Sequence, residues 1–455
     1  DIPDRKKDGY GLNEDLVKRA YDAGVDTIVT CDNGIAAVKE IAYAKSLGMT
    51  VIITDHHELQ EEIPPADVVV NPHQKDCPYP YKNLCGAGVA WKLVSALWEQ
   101  LGVPEQELYE DLLLFAGFAT VGDVMDLTGE NRILVKEALK LLKTTSHPGI
   151  SALIEVNEIS RETISAFHIG FVLGPCINAS GRLDTAKRAL ELLKTTDYEK
   201  ALVKAAELKA LNDERKSMTD DGVQQALDQI ENSDMKRDRV LVIYLPDCHE
   251  SLAGIIAGRI RERYYRPVFV LTRSQDGVKG SGRSIETYSM FEEMSKCKEL
   301  YTKYGGHPMA AGVSMPEGHV EKFRKRLNEL CTLTEKDLTE VVRIDIAMPF
   351  SYVSERLVEE LYLLEPFGKG NSKPVFAAKG VQVLETRVLG KNQNVLRLKL
   401  KDESGTTMDG IYFSDQMNEV LKTMQQKPRL AFLYYPEINE FRGQRTLQLR
   451  ILDYC

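Results

Sequence analysis

Long apolar runs are missing from this 455-residue chain, and no stretch approaches the length needed to span a bilayer. No secretory leader is visible, although the chain begins with Asp1 rather than Met. Cys-x-x-Cys pairs are absent too. The eight cysteines (Cys31, Cys77, Cys85, Cys176, Cys248, Cys297, Cys331 and Cys455) are scattered. That spacing argues against a disulfide framework and a cysteine zinc site, and it suits the reducing cytosol. Internal repeats and low-complexity tracts do not occur. Positive charge is short: the formal net charge of −10 speaks against nucleic-acid binding by the chain as a whole, but patches on single domains matter more. What remains is ordinary soluble composition, 43% hydrophobic and 28% charged, at a length that suggests two to four domains.

Against that background Thr54-Asp55-His56-His57 carries the most information. It follows Met49-Thr50-Val51-Ile52-Ile53, a β-branched run that reads as a buried strand. One unit earlier, Thr27 to Cys31 reads as another buried strand and ends at Asp32-Asn33-Gly34. Between them Ile35, Val38, Ile41, Ala42 and Leu47 keep near-helical spacing. Strand, helix, strand implies a parallel sheet with a right-handed crossover. Asp32 and Asp55-His56-His57 are then expected side by side on one rim, a ready metal or phosphate site. A lone Asp after a strand is more often a cap or turn residue. Two adjacent histidines beside an Asp are rarer in a chain with eight His. Adjacent strand residues point to opposite faces, so His56 and His57 are expected to differ in role.

Further along, Leu112 to Val121 is nearly all apolar and ends at Gly122-Asp123. From about 185 to 232 the pattern is helical and highly charged, which reads as a solvated connector. A new strand series starts at Arg239, with small residues Ala253, Gly254, Ala257 and Gly258 on one side of a helix. Gly280 to Ser284, which includes Arg283, and Tyr304 to Gly312, which includes Gly305-Gly306-His307, read as glycine-rich loops able to turn N–H groups toward an anion. Arg283 fits a phosphate or simple exposure equally well. Val395 to Lys401 alternates with period 2, with Leu396, Leu398 and Leu400 on one face and Arg397, Lys399 and Lys401 on the other. Several short strands with that basic face and Tyr412, Phe413, Tyr434 and Tyr435 fit an OB-type barrel that grips single strands. Edge protection by lysine and aromatics in the core form the alternative.

Taken in order, Asp32-Asn33-Gly34, Asp55-His56-His57, Gly122-Asp123-Val124 and Gly305-Gly306-His307 resemble the DHH phosphoesterase superfamily with its DHHA1 domain. Other segments resemble, within it, the RecJ family of bacterial single-strand-specific 5′-to-3′ exonucleases. These are Ile2-Pro3-Asp4-Arg5, Gly9 to Leu12, Gly174-Pro175, Asn178 to Leu183, His249-Glu250-Ser251, Gly254 to Ala257, Glu365-Pro366-Phe367-Gly368, Gly370-Asn371, Asn439-Glu440 and Gln448-Leu449. The resemblance covers essentially the whole chain.

It implies an α/β architecture: a parallel-sheet DHH domain over 1–145, a helical connector over 146–235, a smaller α/β DHHA1 domain over 236–340, and an all-β OB-like barrel over 341–455. It also implies that Asp32 bridges two divalent ions, that His56 and Asp123 bind one of them, and that Asp55 orients His56. His57 would face the scissile phosphate. Asn178, Arg182, Arg283, His307, Gly305 and Gly306 would hold the nucleotide and its phosphates. A mixed carboxylate and imidazole set suits Mn²⁺, with Mg²⁺ as the alternative. Two such ions lower the pKa of a water and clamp the attacking and leaving oxygens of an in-line displacement.

The implied activity is 5′-to-3′ degradation of single-stranded DNA to 5′-mononucleotides in repair and recombination. The implied setting is cytoplasmic, with a single-strand-binding protein and a helicase as partners and no membrane. Two departures matter. The family's Asp-x-Asp strand precedes the Ile-Pro-Asp-Arg segment, which here opens the chain. The chain is therefore expected to be N-terminally truncated and weak or inactive as a nuclease. Cys176 stands where many relatives carry a basic residue. Rival readings are a DHH phosphodiesterase of short oligonucleotides or cyclic dinucleotides, and a metal-poor single-strand-binding scaffold. The long connector and the C-terminal β domain argue against the first, and intact His56, His57 and Asp123 argue against the second.

Overall fold

The computed structural model describes residues 1–3, 11–102, 109–390, 392–414, 416–441 and 443–455. Asp4 to Tyr10, part of the N-terminal resemblance, lies outside them. Two compact units emerge. One comprises Asp1–Arg19, Thr145–Thr163 and Phe171–Val341, and the other comprises Ala20–Thr144, Ile164–Gly170 and Val342–Cys455.

After helix α1 (Glu14–Asp22), strand β1 (Thr27–Cys31), helix α2 (Val38–Ser46), strand β2 (Thr50–Thr54) and strand β3 (Val68–Val70) build a parallel sheet of order β1-β2-β3. Val51, Ile53, Ile41 and Ala44 are fully buried between sheet and helix. Thr30 pairs with Ile53 and Cys31 with Thr54, so the carboxyl ends of β1 and β2 lie side by side. Three helices follow: α3 (Gly86–Leu101), α4 (Tyr109–Gly122) and α5 (Gly129–Thr144). The apolar run from Leu112 to Val121 is helix α4. A methyl group at Gly117 would collide with Ala138 Cβ, so glycine lets α4 and α5 cross closely. That crossing fixes the end of α4, where Asp123 emerges.

Helices α6 (Pro148–Val156), α7 (Ala166–His168), α8 (Gly174–Leu183), α9 (Lys187–Lys194) and the 34-residue α10 (Tyr198–Glu231) come next. The charged segment is helical as expected, but it is more than a solvated connector. Ala201, Ala205, Leu208 and Asn212 recur at helical spacing and are buried. Cys176 is also fully buried. It receives a hydrogen bond from Asn212 Nδ2 at 3.5 Å and donates to Asn157 Oδ1 at 3.7 Å. A thiol held this way cannot replace a phosphate-binding cation.

The second sheet contains β4 (Leu241–Tyr244), β5 (Val268–Ser274), β6 (Gly277–Arg283), β7 (Lys303–His307) and β8 (Ala310–Met315) in the order β4-β5-β6-β8-β7. Only β4 and β5 run parallel. Helix α11 (Ala253–Tyr264) covers one face, and α12 (Met290–Ser295) and α13 (Val320–Leu330) accompany the sheet. Both segments expected to be glycine-rich loops are therefore largely strands. Glycine does not break them because antiparallel neighbours satisfy their backbone groups.

The C-terminal part holds β9 (Ile346–Ala347), α14 (Glu355–Tyr362), β10 (Phe376–Leu389), β11 (Val395–Lys401), β12 (Thr407–Phe413), α15 (Met417–Gln426), β13 (Leu430–Phe441) and β14 (Gln444–Tyr454). The sheet runs β11-β12-β14-β13-β10-β9, and β11 also pairs with β10, which closes a barrel. Helices α14 and α15 correct the all-β expectation. Both are amphipathic and bury Val358, Leu361, Met417, Val420 and Met424. Leu396, Leu398 and Leu400 point inward as the alternation requires.

Candidate metal centre and phosphate-binding surface

The metal centre grows from three chain ends. Asp32 N–H continues the β1–β2 ladder by donating to Thr54 O at 3.0 Å. Asp32 itself then turns at φ +64°, a left-handed conformation that Asp tolerates better than most residues. Its carboxylate rests against the start of α3. A methyl group at Gly86 would lie 2.5 Å from Asp32 Cβ, so only glycine admits the side chain. Asp123 leaves the end of α4, and the next residue, β-branched Val124, sits at φ +55°, a strained corner.

His56 Nε2 lies 3.0 Å from Asp32 Oδ1 and 3.4 Å from Asp123 Oδ2. The structure thus brings these three side chains together around one point. The hydrogen bond that His56 donates to Asp32 raises the His56 pKa, with burial opposing and the charge of Asp123 assisting. Burial pushes the Asp123 carboxyl up, and His56 partly offsets that rise. In the absence of a cation the carboxylates favour a proton on the imidazole. A divalent cation can take that proton's place, because two carboxylate oxygens and an imidazole nitrogen match the ligand preferences of Mn²⁺.

Asp55 plays another part. Its side chain is 1% exposed. It accepts from Ile35 N–H at 3.0 Å, His56 N–H at 2.7 Å, His57 N–H at 3.3 Å and the His57 ring at 2.7 Å. Burial alone would raise its pKa, but these bonds hold it below the usual carboxylate value. One corrected expectation follows. The Asp55 carboxylate orients the ring of His57, whereas it reaches His56 only through the backbone. Asp32, Asp55, His56 and His57 each offer a ligand atom within 4.8 Å of the others. Oδ1 takes three of these bonds and Oδ2 takes one, so the carboxylate is engaged mainly in fixing the backbone and ring of His57. The His57 ring is half exposed, 4.5 Å from that of His56 between centroids.

Sequence reasoning gave no role to Asn71 or Gly86. Asn71 is buried after β3; its Nδ2 donates to His57 O at 2.9 Å while its Oδ1 accepts from His73 N–H at 2.8 Å. The available signal was its place at the carboxyl end of the third parallel strand.

Within the other unit, Arg182 on α8 donates to Ser251 O at 3.0 Å, and Asn178 is exposed one turn earlier. Arg283, Ala310 and His307 share one row across β6, β8 and β7. Arg283 donates to Gly282 O at 2.8 Å, and its guanidinium covers Gly254, where a methyl would lie 2.8 Å from Nη2. Burial lowers the Arg283 pKa. His307 is exposed at the strand end. A pocket of about 620 Å³ is lined by Arg182, His249, Ser251, Lys279, Lys303 and Gly305, among others. Arg283, His307, Asn178 and Gly306 do not line it. The two glycines differ. Gly306 sits at φ +152°, and a methyl there would lie 2.6 Å from Ala311 Cα, whereas a methyl at Gly305 meets nothing within 4 Å. Gly306 is required by packing and Gly305 is not.

In the barrel, Arg397, Lys399 and Lys401 are exposed on β11. Arg397 pairs with Asp409 at 3.0 Å, and Lys399 stands opposite Glu385 and Asp409. Tyr434 and Tyr435 are core residues rather than stacking platforms. Of the four aromatics expected near the basic face, Phe413 is exposed, with the Arg450 guanidinium 3.8 Å from its ring centroid.

Parallel strands ending in Asp32 and Asp55-His56-His57, joined by Asp123, place the chain in the DHH class. The DHH family N-terminal domain matches residues 1–117 and the DHHA1 domain matches residues 237–333. The RecJ OB domain matches residues 344–453. The chain is 36% identical to the single-stranded-DNA-specific exonuclease RecJ of Salmonella typhimurium, over 99% of this chain and 81% of that protein. Identity to the Bacillus subtilis protein of the same description is 35%, over 99% of this chain and 57% of that protein. The chain belongs to the RecJ family. A crystal structure of RecJ from Thermus thermophilus in complex with Mn²⁺ superposes with a TM-score of 0.82 at 29% identity, covering 97% of this chain and 63% of that one. A structure of the same protein with Mg²⁺ gives 0.76 at 26% identity, covering 97% and 69%. The chain spans little more than half the length of the Bacillus subtilis relative. Among the described residues no helix is long and apolar enough to cross a membrane.

Proposed function

We propose that the chain is a divalent-cation-dependent exonuclease acting on single-stranded DNA from the 5′ end and releasing 5′-mononucleotides. The convergence of Asp32, His56 and Asp123 carries this reading, in a family whose curated members are described as single-stranded-DNA-specific exonucleases. Asp32, His56 and Asp123 would hold the cation. When bound, Mn²⁺ or Mg²⁺ supplies Lewis-acid stabilisation of phosphoryl oxygens and a nucleophile at neutral pH. His57, fixed by Asp55, would direct its free ring nitrogen toward the scissile phosphate, where it can donate a hydrogen bond to developing negative charge. Arg182, Arg283, Asn178 and His307, with the strand of Gly305 and Gly306, would bind nucleotide phosphates. Arg397, Lys399 and Lys401 would attract the backbone of the strand.

We assign these roles to a DHH domain (1–145), a helical connector (146–235), a DHHA1 domain (236–340) and an OB-like domain (341–455). A cytoplasmic setting, and protein partners such as a single-strand-binding protein and a helicase, belong to the same proposal. End-labelled single strands test the polarity. With Mn²⁺, a 5′-label should appear in mononucleotide at the earliest times, while a 3′-label should shorten gradually. Early release of the 3′-label, or equal degradation of duplex, would overturn the reading.

A further inference from the structure

The motif Glu365-Pro366-Phe367-Gly368-Lys369-Gly370-Asn371 has no part in the chemistry above, yet it meets the turn that carries Asp123. Both segments lie within one compact unit. Leu127 N–H donates to Lys369 O at 2.7 Å, and Lys369 Nζ pairs with Asp126 at 3.2 Å. The two glycines of the motif make the approach possible. A methyl at Gly368 would lie 2.6 Å from Leu127 Cδ1, and one at Gly370 would lie 3.0 Å from Asp126 Cβ. Gly370 also sits at φ +72°. On α5, Arg132 Nη2 reaches the carbonyls of Leu363, Leu364 and Glu365 at 3.0, 2.9 and 3.2 Å.

The motif is also tied to itself and to the barrel. Asn371 Nδ2 donates to Leu364 O and Pro366 O, both at 2.8 Å, and Gly368 and Asn371 exchange backbone bonds at 2.9 and 3.1 Å. Phe367 meets Tyr435 edge-on with centroids 6.2 Å apart, and Lys373 Nζ lies 4.7 Å from the Tyr435 centroid. Tyr435 belongs to the barrel core.

We propose that residues 363–371 form a strut that positions Asp123 for the cation, with Lys369 and Arg132 as positioning residues. A strained corner at Val124 persists only where its surroundings hold it. The strut holds the far side of that corner, three and four residues past Asp123, and anchors it to the barrel core. Cation affinity thereby depends on the C-terminal part of the chain, which contributes no ligand. The proposal rests on the metal-site reading above.

The test is Mn²⁺ binding by the full chain, followed by the electron paramagnetic resonance signal of free Mn²⁺. Lys369→Ala and Arg132→Ala should each weaken binding by up to about tenfold, the lower end of the range for partners bonded directly to a ligand, and Arg132→Lys should recover part of the loss. The increment in melting temperature caused by Mn²⁺ should shrink in the variants by more than the metal-free melting temperature falls. The Lys369 side chain is 61% exposed, so Lys369→Ala should fold and remain measurable even where Arg132→Ala does not. Wild-type chain that binds no Mn²⁺ would overturn the metal-site reading itself. Wild-type binding left unchanged in Lys369→Ala and Arg132→Ala would overturn the strut alone.

Discussion

At the scale of single residues, the centre is built from small residues that leave room and polar residues that fix direction. Gly86 shows the first kind. Its missing side chain lets the Asp32 carboxylate lie on the start of α3. Gly86→Ala should displace Asp32 by about the radius of a methyl group and lower Mn²⁺ affinity at least tenfold, within the range for perturbed ligand orientation. Calorimetric titration with Mn²⁺ checks this, and unchanged affinity would show that Asp32 is not a ligand. His56 gives a pH dependence. Its pKa is raised above 6.5 by the bond it donates to Asp32. In the metal-free protein that bond contributes stability that is fully present below the unfolded value of 6.5 and lost as pH rises through the higher folded value. Cation binding needs the neutral ring, so Mn²⁺ affinity should climb through the same window, by up to about tenfold per pH unit while one proton is displaced. Titrations from about pH 6 to 8, the range in which imidazole ordinarily changes charge, test the sign. A flat profile in this range would remove His56 from the ligand set.

At the scale of elements, the barrel surface separates cations that are free to meet a phosphate from those already engaged. Arg397 is held by Asp409 at 3.0 Å. Lys399 and Lys401 form no ion pair of that kind among the described residues. Each phosphate contact contributes about 0.7 to the log–log salt slope on single strands. Replacing Arg397, Lys399 and Lys401 together by Ala should therefore flatten the slope by about 1.4, with the lysines responsible. Under the proposed function Phe413, exposed beside Arg450, would stack on a base. Phe413→Ala should cost about 1–3 kcal/mol of single-strand affinity with little change in salt slope. Fluorescence anisotropy over a salt series distinguishes the two effects. A triple variant with unaltered slope would return the lysines to edge protection.

At the scale of the whole molecule, the metal residues and the barrel belong to one compact unit, and the pocket of Arg182 and Lys303 belongs to the other. A ligand that binds only the native state stabilises it by about 2.7 kcal/mol at a hundred times its dissociation constant. Mn²⁺ should accordingly raise the melting temperature of the unit holding Asp32, His56 and Asp123. If calorimetry resolves two transitions, one should move and the other should stay. Equal movement of both would mean that the units unfold together or that Mn²⁺ has a second site.

Much of this was determined by sequence alone. β-Branched runs mark β1 and β2 as strands, although β1 is mostly exposed where a buried strand was expected, and a parallel pair must place Asp32 beside Asp55-His56-His57, because both strands end at the same rim. The alternation in β11 fixes which side chains face the barrel core, since the strand repeat is two. Other features depend on partners distant in the chain. Asp123 follows a helix whose direction is set by Gly117 against Ala138. The glycine-rich segments are strands because their neighbours satisfy the backbone. Tyr434 and Tyr435 are core because the sheet closes around them. Asp55 turns to the ring of His57 rather than His56 because adjacent side chains diverge, and only the fold decides which one meets a buried carboxylate. The strut was visible in sequence as a motif, but its meeting with Asp126 and Leu127 links residues from opposite ends of the chain. Local pattern fixes which face a side chain takes. What that face meets is settled by tertiary packing, because it depends on where other segments end.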